Sequence, residues 1–564
     1  MTTIDLVDRL SEIVGRKHVL TKDSRTAYYR SGFRSGSGDA AAVVFPGSLV
    51  EQWRVLQTVV AANCAVIMQA TKTGLTEGSC PSGSDYGRDV VIINVTRIKG
   101  IIPILDAQQV IALPGATLHE LEQLLAPLGR VPHSVIGSTT IGATVVGGVA
   151  NNAGGALCKR GSSFTELSCF AMVNATGKLE FVDRLGLRDL GRTPEEILAT
   201  LDSGNLSSDQ VEASEKPASD RDYESRIRDL EADVPNRYNA DPRRLCDVSG
   251  SAGKVAAFAV RVDTYPAPKR KQVFYLGTND PKHLVDMRHR VLKHFKVLPD
   301  MCELMDRGVF DIAAKFGKDV FLSIKYLGTK RLPRSYALKA KAEYWLNRLP
   351  LLPKYLPDIF LYYVSRLFPQ HLPKRLLQFR DRFHYHVILV TSDEGIEEAQ
   401  SYLDEHWKAL DGADYFRCDA NEQKAALLHR FAAAGAAIRY QTVHQRTTEE
   451  VLALDVALLG SDEDWGEELP DEISRQLDVS LSYGHFLCHV FHQDYVFKRG
   501  TDTGAVKKQL LARLEARGAK YPAEHNVGHL YAADETLRQH YESLDPTNTF
   551  NPGIGKTLKT AIRP

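Results

Sequence analysis

Three short segments of this 564-residue chain concentrate the side chains that could carry chemistry. They read Y-G-H-F-L-C-H-V-F-H-Q-D (483–494), A-E-H-N-V-G-H (523–529) and H-R-F-A-A-A-G-A-A-I-R (429–439). Histidine changes charge near neutral pH and can therefore take or give a proton. Arginine offers a planar fork that holds a carboxylate through two parallel hydrogen bonds, and Arg430 and Arg439 are the candidates for such a clamp. His485 and His492, seven residues apart, could join Glu524 in a zinc- or manganese-like site. They could equally line a ligand pocket without metal, and the residues leave both open. Taken alone, an arginine is more often a surface ion pair and a histidine a solitary one, so these segments need a second signal.

That signal lies in the glycine-rich stretch P-H-S-V-I-G-S-T-T-I-G-A-T-V-V-G-G-V-A-N-N-A-G-G (132–155). It contains no acid, and His133 is its only residue able to carry charge. Glycine lets backbone N–H groups approach a ligand closely, and successive free N–H groups in such turns form an anion-binding concavity. Ser138, Thr139, Thr140 and Thr144 add hydroxyl donors, so a diphosphate is the natural guest. A tight packing corner is the alternative for this stretch by itself.

The elements that must position these groups can be read upstream. Residues 43–79 predict a strand, an amphipathic helix (Val50, Trp53, Leu56, Val59, Val60), a second strand, and then the loop T-K-T-G-L-T-E-G-S at that strand's C-terminal end. Ligands favour this edge of α/β sheets. The loop matches neither G-x-G-x-x-G nor G-x-x-x-x-G-K-[ST], so a Rossmann or P-loop reading has no support. The apolar spacing of Ile4–Val14 predicts a helix, and Thr117 and Gly129 predict the two ends of another. Val90–Val95, 110–116, 254–263 and 272–277 read as strands and 281–295 as a helix. Residues 202–225 are polar and predict a surface insertion or mobile loop with no chemistry.

The pair Q-A-T-K-T-G-L-T-E-G-S and 132–155 resembles the FAD-binding domain of the vanillyl-alcohol-oxidase type flavoproteins. F-R-S-G-S-G-D-A (33–40), R-Y-N-A-D-P-R-R-L (237–245), H-R-F-A-A-A-G-A-A-I-R-Y (429–440) and Y-P-A-E-H-N-V-G-H-L (521–530) narrow the resemblance, over nearly the full length, to the bacterial quinone-dependent D-lactate dehydrogenases. The resemblance implies an α+β fold: a two-subdomain FAD-binding domain, an α/β cap domain and a basic membrane-binding insert. The implied boundaries are 1–264 and 514–564 for the FAD-binding domain, 265–324 and 383–513 for the cap, and 325–382 for the insert. It implies FAD contacts at Ala70, Thr71, Lys72, Thr73, Gly74, Gly78, Ser79, Gly137, Thr144, Gly154 and Ala257. No His or Cys stands in the T-K-T-G-L loop where some relatives bond the flavin, and Cys80 beyond it reads as structural, so the FAD is expected to be non-covalent.

By resemblance to the E-H-G-x-G motif of FAD-linked 2-hydroxyacid dehydrogenases, His525 is the expected base, with Glu524 beside it; Asn526 replaces the motif's first glycine. The wider group's metal motif H-x-G-D-G-N-x-H keeps only its spacing in His485 and His492. The implied activity is oxidation of D-lactate to pyruvate with electrons passed to a membrane quinone. Another D-2-hydroxy acid, such as D-2-hydroxyglutarate or glycolate, is the alternative substrate, and a non-redox membrane-surface module is the remote one.

The bulk composition sets limits. Seventy basic and seventy acidic residues give no net field to attract nucleic acid. Eight cysteines without C-x-x-C spacing, and an N-terminus unlike a signal peptide, predict a reducing cytoplasm. No apolar run reaches the ~18 residues needed to span a bilayer. Residues 325–382 stand apart, with thirteen Lys or Arg against three acids, interleaved with aromatic and leucine side chains. That mixture suits an anionic lipid surface, so the expectation is a peripheral protein on the cytoplasmic face of the inner membrane.

Overall fold

The computed structural model describes residues 3–328, 346, 355–466 and 468–562. Strands β1 (Val19–Leu20), β2 (Ala42–Val44), β3 (Ala65–Gln69) and β4 (Val90–Asn94) form one sheet in the order β1–β2–β4–β3. β2 and β3 run parallel to β4, and β1 is antiparallel. Every residue of β4 is buried, as a parallel strand covered on both faces requires. The crossover from β2 to β3 is the helix Leu49–Ala61, capped by the Ser48 side chain on the Glu51 N–H.

A second, antiparallel sheet follows. It comprises β5 (Ile101–Ile104), β6 (Gln109–Ala112), β7 (Arg130–Pro132), β8 (Ser168–Val173), β9 (Leu179–Asp183) and β10 (Ala256–Pro266). The order is β5–β6–β10–β8–β9, with β7 also on β10. Thr117 and Glu120 form a reciprocal capping box on the helix Leu118–Leu125, and Gly129 turns the chain out with φ 66°.

The third sheet holds β11 (Lys271–Thr278), β12 (Met301–Asp306), β13 (Tyr385–Ser392), β14 (Ala413–Arg417), β15 (Thr448–Ala457), β16 (Leu477–His485) and β17 (Val490–Lys498), ordered β14–β11–β13–β12–β16–β17–β15. Its side chains alternate between two cores: Phe274, Leu276 and Leu304 on one face, Val273, Tyr275 and Met305 on the other. The second face packs against the helices Arg307–Phe316 and Ala420–Val443. Beyond this sheet the chain returns to the first one, where Phe550 bridges Val66 in parallel on the free edge of β3. The resulting architecture is α+β, as expected from the sequence.

The polar stretch 202–225 differs from its expectation. Ala218 and Tyr223 are fully buried, and Asp220 pairs with Arg226 and, at 2.6 Å, with Arg244. A few apolar anchors and arginines supplied from later in the chain hold the end of the segment inside, which an average over its composition hides.

Most of the basic run, 329–345 and 347–354, lies outside the described residues, as does the Thr140 side chain. In the described end, the helix Leu356–Ser365 and its continuation leave Phe360, Tyr363, Leu367 and Phe368 exposed. The arginines of the helix Lys374–Arg382 form ion pairs with the protein's own carboxylates: Arg375 pairs with Glu422, Arg380 with Asp311 at 2.6 Å and Arg382 with Asp414 at 3.0 Å. Among the described residues no helix is long and apolar enough to cross a membrane.

Candidate active site

His485 ends β16 and His492 lies on β17, joined by a tight turn. The register pairs His485 with Val490 and Tyr483 with His492, so the spacing of seven sets both imidazoles on one face, ring centres 5.3 Å apart. Against this face sits the loop 521–530. Glu524 Oε2 is 3.2 Å from His485 Nε2, and its Oε1 accepts from Arg237 Nη2 at 2.6 Å. The other nitrogen of His485 meets Glu303 on β12 at 2.6 Å, and Glu303 in turn forms an ion pair with Arg430 at 2.8 Å. Asp455, on β15, accepts the Glu524 backbone N–H at 2.6 Å. Its two oxygens stand 3.5 Å from His492 Nδ1 and 3.9 Å from His525 Nε2.

The charges sort themselves by partner. Burial opposes charge on His485, but Glu303 and Glu524 outweigh it and raise its pKa to about 10, so it is an imidazolium at neutral pH. Burial pushes Glu303 and Glu524 up; the cations beside them prevail and hold both below the ordinary carboxylate range, Glu524 far below. His492, buried and next to the His485 cation, is held neutral, well below its usual value. Asp455 is pushed up to about 6, by burial first and with Glu524 adding to it. His525 is the open member, with about a third of its side chain accessible (32%).

Not every expected residue joins this cluster. Arg430 reaches it only through Glu303, with its guanidinium also 4.7 Å from the Tyr483 ring centre. Arg439 is absent from it: its guanidinium pairs with Asp319 at 2.9 Å and Asp358 at 2.7 Å, between helices. Both arginines lie on the helix Ala420–Val443, and a separation of nine is about two and a half turns, which places them on opposite faces.

The loops assigned to FAD converge on the same segment. A Cβ on Gly142 would come within 3.9 Å of the Thr71 methyl, so the two loops face each other. Gly74 and Gly137 border open space, whereas a Cβ on Gly154 would stand 2.6 Å from Glu524 Oε1, and one on Gly78 2.7 Å from Asn526. Asn526 accepts from the Thr76 hydroxyl at 3.1 Å and donates to the Asn151 side chain, tying both loops to the Glu524–His525 pair. The Thr139 hydroxyl is buried and finds no partner among the described residues. An open concavity between glycine turns with a spare hydroxyl donor fits a diphosphate.

Other residues of that set hold the frame. Ala70 and Ser79 give their carbonyls to Asn94 and Gln69, Thr144 caps a short helix on Gly147, and Ala257 gives its carbonyl to Gln52. Lys72 spends its ammonium on the carbonyls of Tyr28 and Ser31, so it braces the loop. Thr73 stands between Lys72 and Gly74 in the same irregular stretch. Cys80 is buried, its thiol pushed up to about 12 by that burial first and by Glu77 next.

Glu303, Asp455 and Arg237 belong to the cluster and were not singled out by the motif reading. For Glu303 and Asp455 the signal was a lone carboxylate within an apolar run, M-C-E-L-M and L-A-L-D-V-A-L-L, whereas Arg237 opens the segment R-Y-N-A-D-P-R-R-L with no role read from it. A charge is buried in such a run only with a partner, so its position invites the search for one. His485, His492 and Glu524 do bring ligand atoms within 4.8 Å of one another. Both nitrogens of His485 are engaged by carboxylates in this arrangement, so a metal would have to displace a proton and one of those contacts.

Residues 273–562 match the family model described as D-lactate dehydrogenase, membrane binding, and 40–183 match an FAD binding domain. The chain is 52% identical over 562 residues to the quinone-dependent D-lactate dehydrogenase of Escherichia coli K12, covering 99% of this chain and 98% of that one. It is 48% identical to the enzyme of that name from Haemophilus influenzae, with 99% of each chain covered. Among solved structures, p-cresol methylhydroxylase with substrate bound matches at TM-score 0.59 and 12% identity, covering 98% of this chain and 97% of that one. Alkyldihydroxyacetonephosphate synthase matches at TM-score 0.55 and 11% identity, covering 98% and 85%. These distant likenesses speak for the fold alone, whereas the full-length identities decide the family: this chain belongs to the quinone-dependent D-lactate dehydrogenases.

Proposed function

We propose that the chain oxidises D-lactate to pyruvate at the cluster around Glu524 and His525 and passes the electrons to a membrane quinone. The observation that carries this reading is the docking of the Glu524–His525 loop onto both glycine loops and the histidine hairpin at once. FAD, when bound between those loops, supplies the acceptor for the Cα hydrogen and its electron pair. The chain's own residues supply the rest. His525 takes the hydroxyl proton, being the accessible imidazole; His485, already a cation, cannot. Asp455 faces His525 and stabilises the imidazolium that forms. Glu524 is fixed by Arg237 and His485, so the loop carrying the base keeps its place. The test is an anaerobic visible spectrum: flavin bands that bleach with D-lactate and not with L-lactate support the reading, and bands that persist overturn it.

A second reading, a divalent metal held by His485, His492 and Glu524, is favoured by the 4.8 Å clustering of their ligand atoms. It requires His485 to lose its proton and release a carboxylate. Retained D-lactate bleaching after exhaustive dialysis against EDTA excludes a required metal.

We further propose that the FAD is non-covalent, since Cys80 is buried with its thiol far above neutrality. Acid precipitation then leaves all flavin in the supernatant. Attachment to anionic lipid on the cytoplasmic face of the inner membrane is proposed from the basic and aromatic residues of 325–382. The same reading divides the chain into an FAD-binding domain, 1–264 with 514–564, and a cap that the insert interrupts.

A further inference from the structure

Among the described residues the cluster has no cation to spare for an anionic substrate. Arg237 is matched by Glu524, Arg430 by Glu303 and Arg439 by Asp319 and Asp358, while His485 sits between two carboxylates. A 2-hydroxy acid brings one more negative charge into this partly desolvated space, and an anion there needs a dedicated counter-charge.

One further arginine stands at the site. Arg34 projects from an exposed turn closed by a Ser31–Ser37 bridge and by the Gly32 N–H on the Gly36 carbonyl at 2.9 Å. The turn is fastened to the first glycine loop, because Lys72 grips the Tyr28 and Ser31 carbonyls and Ser35 donates to Glu77 at 2.6 Å. The Arg34 charge acts on Tyr483 of β16, Asp494 of β17 and Tyr531 just beyond the His525 loop. The first glycine loop in turn packs on the His525 loop, since the His529 N–H donates to the Thr76 carbonyl at 2.9 Å and a Cβ on Gly78 would stand 2.7 Å from Asn526, so the turn carrying Arg34 lies beside the junction of these two loops. Among the described residues no carboxylate forms an ion pair with it, and Asp494 is already occupied by the Tyr483 hydroxyl at 2.9 Å.

We propose that Arg34 is the residue that holds the carboxylate of the 2-hydroxy acid, in place of Arg430 and Arg439. A bidentate guanidinium on an exposed turn can close over the substrate anion while the α-carbon lies between His525 and the flavin site. The three buried arginines then serve as the frame. The inference rests on the 2-hydroxy-acid reading above.

The experiment compares the flavin-loaded wild type, Arg34→Ala and Arg34→Lys on D-lactate and on methyl D-lactate, which lacks the negative charge. Because Arg34 is exposed, its replacement leaves the cores untouched. Loss of one charge-assisted pair predicts a rise in KM for D-lactate on the order of ten- to a hundred-fold in Arg34→Ala. The preference for D-lactate over the ester falls by the same factor, and Arg34→Lys recovers part of it. A KM for D-lactate within about twofold of wild type overturns the proposal. So do equal losses on acid and ester, or loss of the flavin absorbance, which would assign Arg34 to the loop or the cofactor. Failure of the underlying reading looks different, since the wild-type flavin then does not bleach with D-lactate at all.

Discussion

Arg237 and Glu524, 287 residues apart in sequence, meet at 2.6 Å in a buried pair that joins the end of the second glycine-rich stretch to the loop carrying His525. The same guanidinium nitrogen reaches the Gly155 carbonyl at 2.7 Å. One side chain thus fixes the end of a glycine loop and the residue next to the expected base. Breaking such a pair from one side leaves the other charge buried without compensation, at a cost of about 3–5 kcal/mol. Glu524→Gln is therefore expected to lower Tm measurably and to slow flavin bleaching by D-lactate. A Tm equal to wild type would show that Arg237 is satisfied without Glu524.

Asp455 predicts the acid side of the pH profile. With its pKa raised to about 6, it is ionised at pH 7 and becomes protonated as pH falls through that value. The carboxylate that stabilises the His525 imidazolium is then lost, so kcat/KM declines below about pH 6. Asp455→Asn is expected to remove that limb and to lower kcat/KM on the order of a hundred-fold at neutral pH. An unchanged acid limb in the variant would assign it to another group.

His485 predicts stability on the alkaline side. Its pKa is raised from 6.5 to about 10, so the folded state holds a proton that the unfolded chain releases over that interval. The contribution is complete below about pH 6.5 and drains away as pH rises through about 10. Between pH 7 and pH 10 the Tm of wild type should fall more steeply than that of His485→Gln. Parallel curves would mean that His485 is not held as a cation.

The parts of this site that the sequence made legible are those where backbone geometry or strand spacing dictates residue type. Gly528, at φ 55°, would put a Cβ 1.7 Å from the Thr76 carbonyl, so only glycine lets the loop carrying His525 lie on the first glycine loop. The seven-residue spacing of His485 and His492 is hairpin arithmetic on one face of a sheet. Thr117 with Glu120, and Gly129, announced their helix ends by the same local logic. The ion-pair partners were not legible, because Glu303, Arg237 and Asp455 come from three separate segments and nothing local names their contacts. The two arginines of the helix Ala420–Val443 were legible in part. Their separation alone forbids a shared carboxylate, yet only the fold shows that both are already matched.

The exposed edge of the helix Leu356–Ser365 tests the membrane reading within the described residues. Phe360, Tyr363, Leu367 and Phe368 are all exposed, while Arg375, Arg380 and Arg382 are turned back into ion pairs. Apolar contact is thus the contribution of this edge, and Phe360→Glu with Leu367→Glu should weaken binding to vesicles containing phosphatidylglycerol without altering D-lactate bleaching in solution. Undiminished vesicle binding would place the attachment elsewhere in 325–382.

Asn526 tests how cofactor and catalysis are coupled. It replaces a glycine of the related motif, yet its side chain is no passive filler, since it joins Thr76 of one flavin loop to Asn151 beside the other. Two such hydrogen bonds contribute about 1 kcal/mol each, and both loops are those proposed to hold the FAD. Asn526→Gly is expected to weaken FAD retention roughly ten-fold, read as free flavin fluorescence after dilution. The same variant should lower kcat even at saturating FAD, because the His525 loop loses its tether. If retention falls while kcat at saturation is unchanged, Asn526 serves the cofactor alone and the loop is held by Arg237 and Asp455 without it.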